Sequence, residues 1–496
     1  MGDNMKDRLK VLDFKYNVIA MVFLFIFVIS VLAPLSGNDW VASSIGKDGI
    51  LSSIKNLTYA NGNILSDTLA NLFAANKGIF NIVFAIIMAF TIYEVMPLLG
   101  KVENKYHFLI MPLLLLLIGV ETFSYNFVSV TGTVCYTFPA CALIIYYMYL
   151  YKLGNNKFKF INYLVLFLLI LYISLSTVYI SLAFVLSNIV FFAYRYLNTK
   201  EFPLSYVFLL LVQIFITIVS LFYIDKSIMF SSLELAVSKI PMFIEDTFSK
   251  NILLILIGTI PIDIYLNEKL KDFSYKRVVI VLFTLVPVLS ILYNFFNYSP
   301  VNLNLVINKY SGVFATENWY FIFYFILYLV LLLLTIIHYI GRKKSRYYIL
   351  IILGTGLITN LFRVISPDYT SGSNILFVIT YIIAISVLYK EMNITLPDKL
   401  FKALVIILSV YYLAIFGITK YIDVDRHNYI REQVSNNETN IIVKSNPFLL
   451  VYRYNPNTIF QKRDFKIYLG MNDDKSITVK YFGLFGDIKS TISSSK

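Results

Sequence analysis

NVIAMVFLFIFVISVLAPLSGNDW, residues 17–40, is the stretch on which the fold turns. Residues 17–35 contain no charged side chain. As an α-helix they would reach about 28 Å, close to the roughly 30 Å hydrocarbon thickness of a bilayer. A helix is also the conformation that satisfies every backbone group inside one lipid-embedded segment. Lys6, Arg8, Lys10 and Lys15 precede the run, as in a signal peptide. However, Pro34 follows Ala33, which disfavours cleavage after an A-x-A-like site, so the segment reads as a retained first helix.

Working outward, the pattern repeats. Apolar runs fall near 79–99, 107–123, 130–151, 160–176, 178–196, 204–224, 251–267, 278–296, 319–340, 347–364, 374–390 and 400–421. With the first run they make about 13 spans. The 496 residues are 58% hydrophobic and 14% charged, with mean hydropathy +0.73. A soluble domain carries about 25% charged residues, so lipid is the solvent that fits. The runs are unbroken rather than alternating, which excludes a β-barrel.

The net charge of +13 does not point to nucleic acid. The basic residues sit in short clusters between apolar runs, the pattern of cytoplasmic loops. With the N-terminus inside, the inner connectors carry Lys101 and Lys105; Lys152, Lys157 and Lys159; Arg195 and Lys200; Lys269, Lys271, Lys276 and Arg277; Arg342, Lys343, Lys344 and Arg346; and Lys390 with Lys399. The outer connectors 36–78, 124–129, 225–250, 297–318 and 365–373, with a minimal turn near 177, are poorer in basic residues or mixed in charge. An odd number of spans places the tail outside. The inner loops are short and three outer ones are long, which puts the working surface outside. In 64–77 the apolar residues Ile64, Leu65, Leu69, Leu72 and Phe73 share a helical face, predicting a helix that lies in the interface. The segments Asn440–Val443, Phe448–Tyr454 and Ile477–Phe482 read as strands between turn residues. The expected architecture is an all-α polytopic membrane domain, 1–421, with a small α+β extracytoplasmic C-terminal domain, 422–496. No repeat of 20–50 residues and no inverted halves are visible.

Cys135 and Cys141 share one apolar run and read as packing residues, and His107, His338 and His427 form no zinc motif. Asp39 stands out. It follows the first span directly, beside Trp40. A partly desolvated carboxylate there has the character of a base, and a lipid-linked phosphate reacts at that depth. The plainer reading is a polar loop start with Trp40 as an interfacial anchor. Asn61, Gly62 and Asn63 are turn residues that also suit the polar wall of a donor or acceptor site. Glu121 is a functional suspect at the outer edge of the third span, or its last polar residue before water, with Tyr136 following in the fourth. Arg363 lies near the outer end of a span, before Asp368 and Tyr369, and suits either a phosphate contact or snorkelling to the interface. Lys309 is a second cation of this kind.

These elements resemble the GT-C superfamily of multi-pass glycosyltransferases, and within it the bacterial families that include serotype-converting O-antigen glucosyltransferases. Such proteins have an acidic-aromatic element after the first span, matched here by Asn38-Asp39-Trp40. Asn61-Gly62-Asn63 and Ser366-Pro367-Asp368-Tyr369 stand where the family has N-G-R and P-x-Y-x-x-R elements, each here without its Arg. Asp425-Arg426-His427-Asn428-Tyr429 stands for a tail helix that opens with Arg. The resemblance implies a GT-C-like fold in a bacterial cytoplasmic membrane. The activity implied is transfer of a hexose from a polyprenyl-phosphate donor to a surface glycan, teichoic acid or lipid-linked acceptor, with inversion. Asp39 would be the general base, and substitutions at Asp48 or Asp67 are expected to matter far less. No cofactor is called for, a divalent metal is left open, and membrane lipids are the remaining partner. A lipid-linked glycan flippase would show paired mid-membrane charges and internal symmetry, which are weak here. A glycan polymerase or ligase would show arginines or a histidine in late outer loops, where this chain has little of either.

Overall fold

The computed structural model describes residues 2–55, 63–100, 106–154, 159–200, 204–222, 239–240, 243–244, 247–297, 319–341, 343–365, 374–395, 397–444, 459–471 and 475–480. The chain is an all-α polytopic membrane protein with a small amount of strand. Among the described residues, eight helices are long and apolar enough to cross a bilayer, nine if one bent pair is a single span.

The first helix, α1 (Gly2–Leu32), stops just before Ala33-Pro34, where the proline ring restricts the helical conformation of its predecessor. Val18, Val22, Ile26, Ile29 and Ala33 are buried, while Met21, Leu24, Val28 and Val31 are exposed. The spacing of four, four, three and four is one face of a helix, and the exposed side is the lipid-facing one. After α1 come three short helices of the first connector: α2 (Asn38–Lys47), α3 (Ile50–Lys55) and α4 (Ile64–Ala75). The helix expected within 64–77 is present, but its buried face is Ser66, Ala70, Asn71 and Ala74 rather than the large apolar residues. Small side chains let α4 press onto α2: a Cβ on Gly46 would meet the Asn71 carbonyl oxygen. Ile64, Leu65, Leu69, Leu72 and Phe73 are only half-buried.

The helix α5 (Lys77–Val95) packs on α1 and continues as a 3₁₀ turn, Met96–Leu99. The run expected to cross unbroken at 107–123 does not. It forms α6 (His107–Leu116) and α7 (Val120–Val128), bent by 92°. The break has a tertiary cause. Gly119 is extended, its N–H donates to Asn251 Oδ1 at 3.1 Å, and a Cβ there would strike the Lys250 carbonyl oxygen. The last turn of α7, Ser124–Val128, is π-helical and buried, so the expected outer connector 124–129 is packed helix up to residue 128.

Then α8 (Val130–Leu153) enters the bundle through a second π turn, Thr133–Thr137. There follow α9 (Phe160–Ser176), α10 (Val178–Thr199), α11 (Leu204–Phe222), α12 (Ile252–Lys269), α13 (Lys276–Asn297), α14 (Trp319–Ile340), α15 (Lys344–Ile365) and α16 (Ile375–Glu391). Ile375 to Tyr389 of α16 are all buried, making it the centre of the bundle.

The last long helix, α17 (Asp398–Ser435), runs without a break across the boundary expected at 421/422. Its 38 residues reach about 57 Å, far beyond a hydrocarbon core. Beyond it β1 (Asn440–Lys444) pairs in parallel with β2 (Ser476–Lys480), and α18 (Ile459–Leu469) lies between them in sequence. The strands expected at 440–443 and from 477 are present, while the one at 448–454 lies outside the described residues. Trp40 is not an interfacial anchor. It is fully buried with Ile430, Ile441, Val443, Phe465 and Ile477, its ring 4.7 Å from that of Phe465. The tail therefore closes its core with a residue of the connector that follows α1.

Candidate functional site

Three elements meet at the first turns of α8, residues 129–136. Asp39, in the first turn of α2, is wholly inaccessible. Its Oδ1 accepts from Thr131 N at 2.8 Å, Thr131 Oγ1 at 2.8 Å and Ser129 Oγ at 3.1 Å. Its Oδ2 accepts from Ser36 N and Val130 N, each at 3.2 Å. The carboxylate thus caps a helix N-terminus, where unpaired N–H groups favour an anion. Five donors occupy the lone pairs that a general base must offer. This is the geometry of a clamp between the connector that follows α1 and α8, and it differs from the half-wet base expected of Asp39.

One turn further along, Cys135 Sγ donates to Asp67 Oδ1 at 3.6 Å, a weak bond. Asp67 lies on α4 and is half-buried. Burial lifts its carboxyl from the usual 3.8 to about 6, against a small opposing pull from the thiol. Asn63 precedes Asp67 by one helical turn and is buried.

The next residue, Tyr136, receives a hydrogen bond from Arg363 Nη2 at 3.0 Å. The buried guanidinium also lies over the rings of Tyr136 and Tyr179, 5.5 and 5.0 Å from their centroids. It has not snorkelled to the surface. Asp39, Asp67 and Arg363 all lie within electrostatic reach of Cys135. The π turn that carries Cys135 and Tyr136 widens the helix, and the Cys135 carbonyl accepts from Thr177 Oγ1 at 2.5 Å. Such turns recur at functional sites.

Glu121 is elsewhere, in an ion pair with Lys250 at 2.8 Å. Asn38 is exposed at the start of α2, and Trp40 belongs to the tail core. Asn61, Lys309, Asp368 and Tyr369 lie outside the described residues. Both cysteines are free and buried. Among the described residues no three His, Cys, Asp or Glu side chains group as a metal site.

Sequence reasoning passed over Ser129, Thr131 and Tyr179, and it ranked Asp67 with Asp48 as an acid of the first loop that matters far less than Asp39. A usable signal existed for Asp67. It precedes Ala70, Asn71 and Ala74 by three, four and seven positions, so it shares the small-residue face of α4. An Asp on a face of small residues points toward the protein. Set against known proteins, the chain matches no family model and no curated sequence significantly.

Proposed function

We propose that this chain is a GT-C-like membrane transferase that moves a hexose from a polyprenyl-phosphate carrier to a hydroxyl of a surface glycan, teichoic acid or lipid-linked acceptor. It works at the outer face of a bacterial cytoplasmic membrane. One observation carries the reading: consecutive residues of a single π turn, Cys135 and Tyr136, hold a carboxyl lifted to about 6 and a buried guanidinium. Those are the two groups that glycosyl transfer from a phosphate needs.

Asp67 is the general base in this reading. It takes the acceptor O–H proton as the new bond forms at the anomeric carbon. The bond from that carbon to the phosphate oxygen breaks on the opposite side, so the centre inverts and polyprenyl phosphate leaves. Arg363 stabilises the charge on the departing phosphate. A base with pKa near 6 is ionised at neutral pH yet still basic enough to accept a proton. Asp39 positions the reacting groups by holding α2 to the end of α8.

Arg363→Gln is expected to weaken binding of undecaprenyl phosphate by about 10–100-fold, the worth of a charge-assisted hydrogen bond. Equal affinity of variant and wild type by titration in detergent would remove Arg363 as the phosphate group. About 13 crossings, with the N-terminus inside and the tail outside, complete the proposal. The inner connectors are the basic ones, and α17 is long enough to carry the tail clear of the bilayer. Reporter fusions after Lys390 and after Ser435 should report opposite sides. Two cytoplasmic signals would overturn the orientation.

A further inference from the structure

Gly356, Asn360 and Arg363 follow one another on α15 at spacings of four and three, so they share a face. Gly356 lets that face approach α16 closely: a Cβ there would lie 2.8 Å from Phe377 Cα. Asn360 is 1% exposed, and neither its amide nitrogen nor its amide oxygen has a hydrogen-bond partner among the described residues. Its helix neighbours do not share this condition. Thr355 Oγ1 donates to Ser187 Oγ at 2.7 Å, Thr359 Oγ1 to the Thr355 carbonyl at 2.8 Å, and Arg363 to Tyr136.

A buried amide with no partner destabilises the fold, and an apolar residue of similar size would not. The amide carries two donors and an oxygen with two lone pairs. A sugar ring presents adjacent hydroxyls, each both donor and acceptor, and so matches it on both counts. A bare phosphate offers acceptors alone. Side chains three apart on a helix are neighbours, so a ligand whose phosphate meets Arg363 brings its adjoining ring to Asn360.

We infer that Asn360 is a specificity-determining residue that hydrogen-bonds ring hydroxyls of the donor sugar. This rests on the reading of Arg363 as the phosphate group. Purified full-length protein in detergent is titrated with undecaprenyl phosphate and with its glucosyl, galactosyl and mannosyl phosphodiesters. Wild type should bind one sugar-bearing lipid about tenfold more tightly than bare undecaprenyl phosphate. Asn360→Leu should lose that increment, keep the affinity for undecaprenyl phosphate, and melt at a higher temperature without ligand. Asn360→Ala should lose the increment likewise, which covers a leucine that does not fit. Arg363→Gln should weaken every lipid in the set. Retention of the increment by both Asn360 variants overturns the inference and leaves the transferase reading standing, as does a wild type that binds all four lipids equally. A lower melting temperature for Asn360→Leu with the increment intact marks a structural residue. A wild type that binds none of the four overturns both readings.

Discussion

Asp67→Asn is expected to lower turnover about 10²–10⁴-fold, the usual contribution of a general base, and to make the folded protein more stable above pH 6. The two effects share a cause. Burial raises the Asp67 carboxyl to about 6 from its usual 3.8. Below pH 3.8 the group is protonated whether the chain is folded or not, and it contributes no pH dependence. Between 3.8 and 6 the unfolded chain releases its proton first, so the folded state loses stability as pH rises. Above 6 the full penalty is present, about 1–3 kcal/mol for a half-buried group. The amide cannot ionise, so the variant escapes the penalty. Its Oδ1 still accepts from Cys135, which keeps the local geometry. Wild-type turnover should climb through pH 6 as Asp67 ionises, while the residual turnover of the variant stays flat. Near-normal turnover in Asp67→Asn would remove the base.

The second large effect has the opposite sign. Asp39→Asn should destabilise the fold by about 3–5 kcal/mol, the range for breaking a buried charged network. Each carboxylate oxygen accepts at least one backbone N–H: Thr131 N on one, Ser36 N and Val130 N on the other. An asparagine must turn its NH₂ toward one of these sets. Hydroxyls of Ser129 and Thr131 can rotate to accept, but an N–H cannot. At least one buried donor therefore faces another donor, and α8 loses the anion at its N-terminus. Size-exclusion profiles and melting curves should show less folded protein and a lower Tm. An Asp39→Asn protein that melts like wild type and has lost turnover at least a hundredfold would return the catalytic base to Asp39.

How far these sites were legible depends on where their partners lie. The membrane character was readable because lipid demands long apolar runs, and among the described residues eight of the expected runs form helices long and apolar enough to cross a bilayer. The break in the third span was not, because residues 117–119 hold no proline or charge and the cause is a carbonyl 131 residues away at Lys250. Asp39 was visible as an acid after the first span, but four of its five donors sit some 90 residues on, at Ser129 to Thr131. A base and a clamp look alike until those donors are placed. Trp40 looks interfacial until the tail folds back over it. On α4 the large apolar residues drew attention to the wrong face, since close helix packing favours Ser66 and Ala70 inside. Arg363 and Tyr136 were each singled out in the sequence, and the structure joins them. That contact crosses 227 positions, beyond the reach of any local pattern.

The central claim is that this fold transfers a sugar with Asp67 taking the proton. The most direct measurement is release of undecaprenyl phosphate from its hexosyl phosphodiesters by purified protein at pH 7.5, with an acceptor glycan extract present. Wild type should release the lipid and label the acceptor with inverted configuration. Asp67→Asn, folded and thermally stable, should release at least a hundredfold less. Folded wild-type protein that releases no lipid from any hexosyl donor, or an Asp67→Asn protein that releases it at the wild-type rate, would contradict the account.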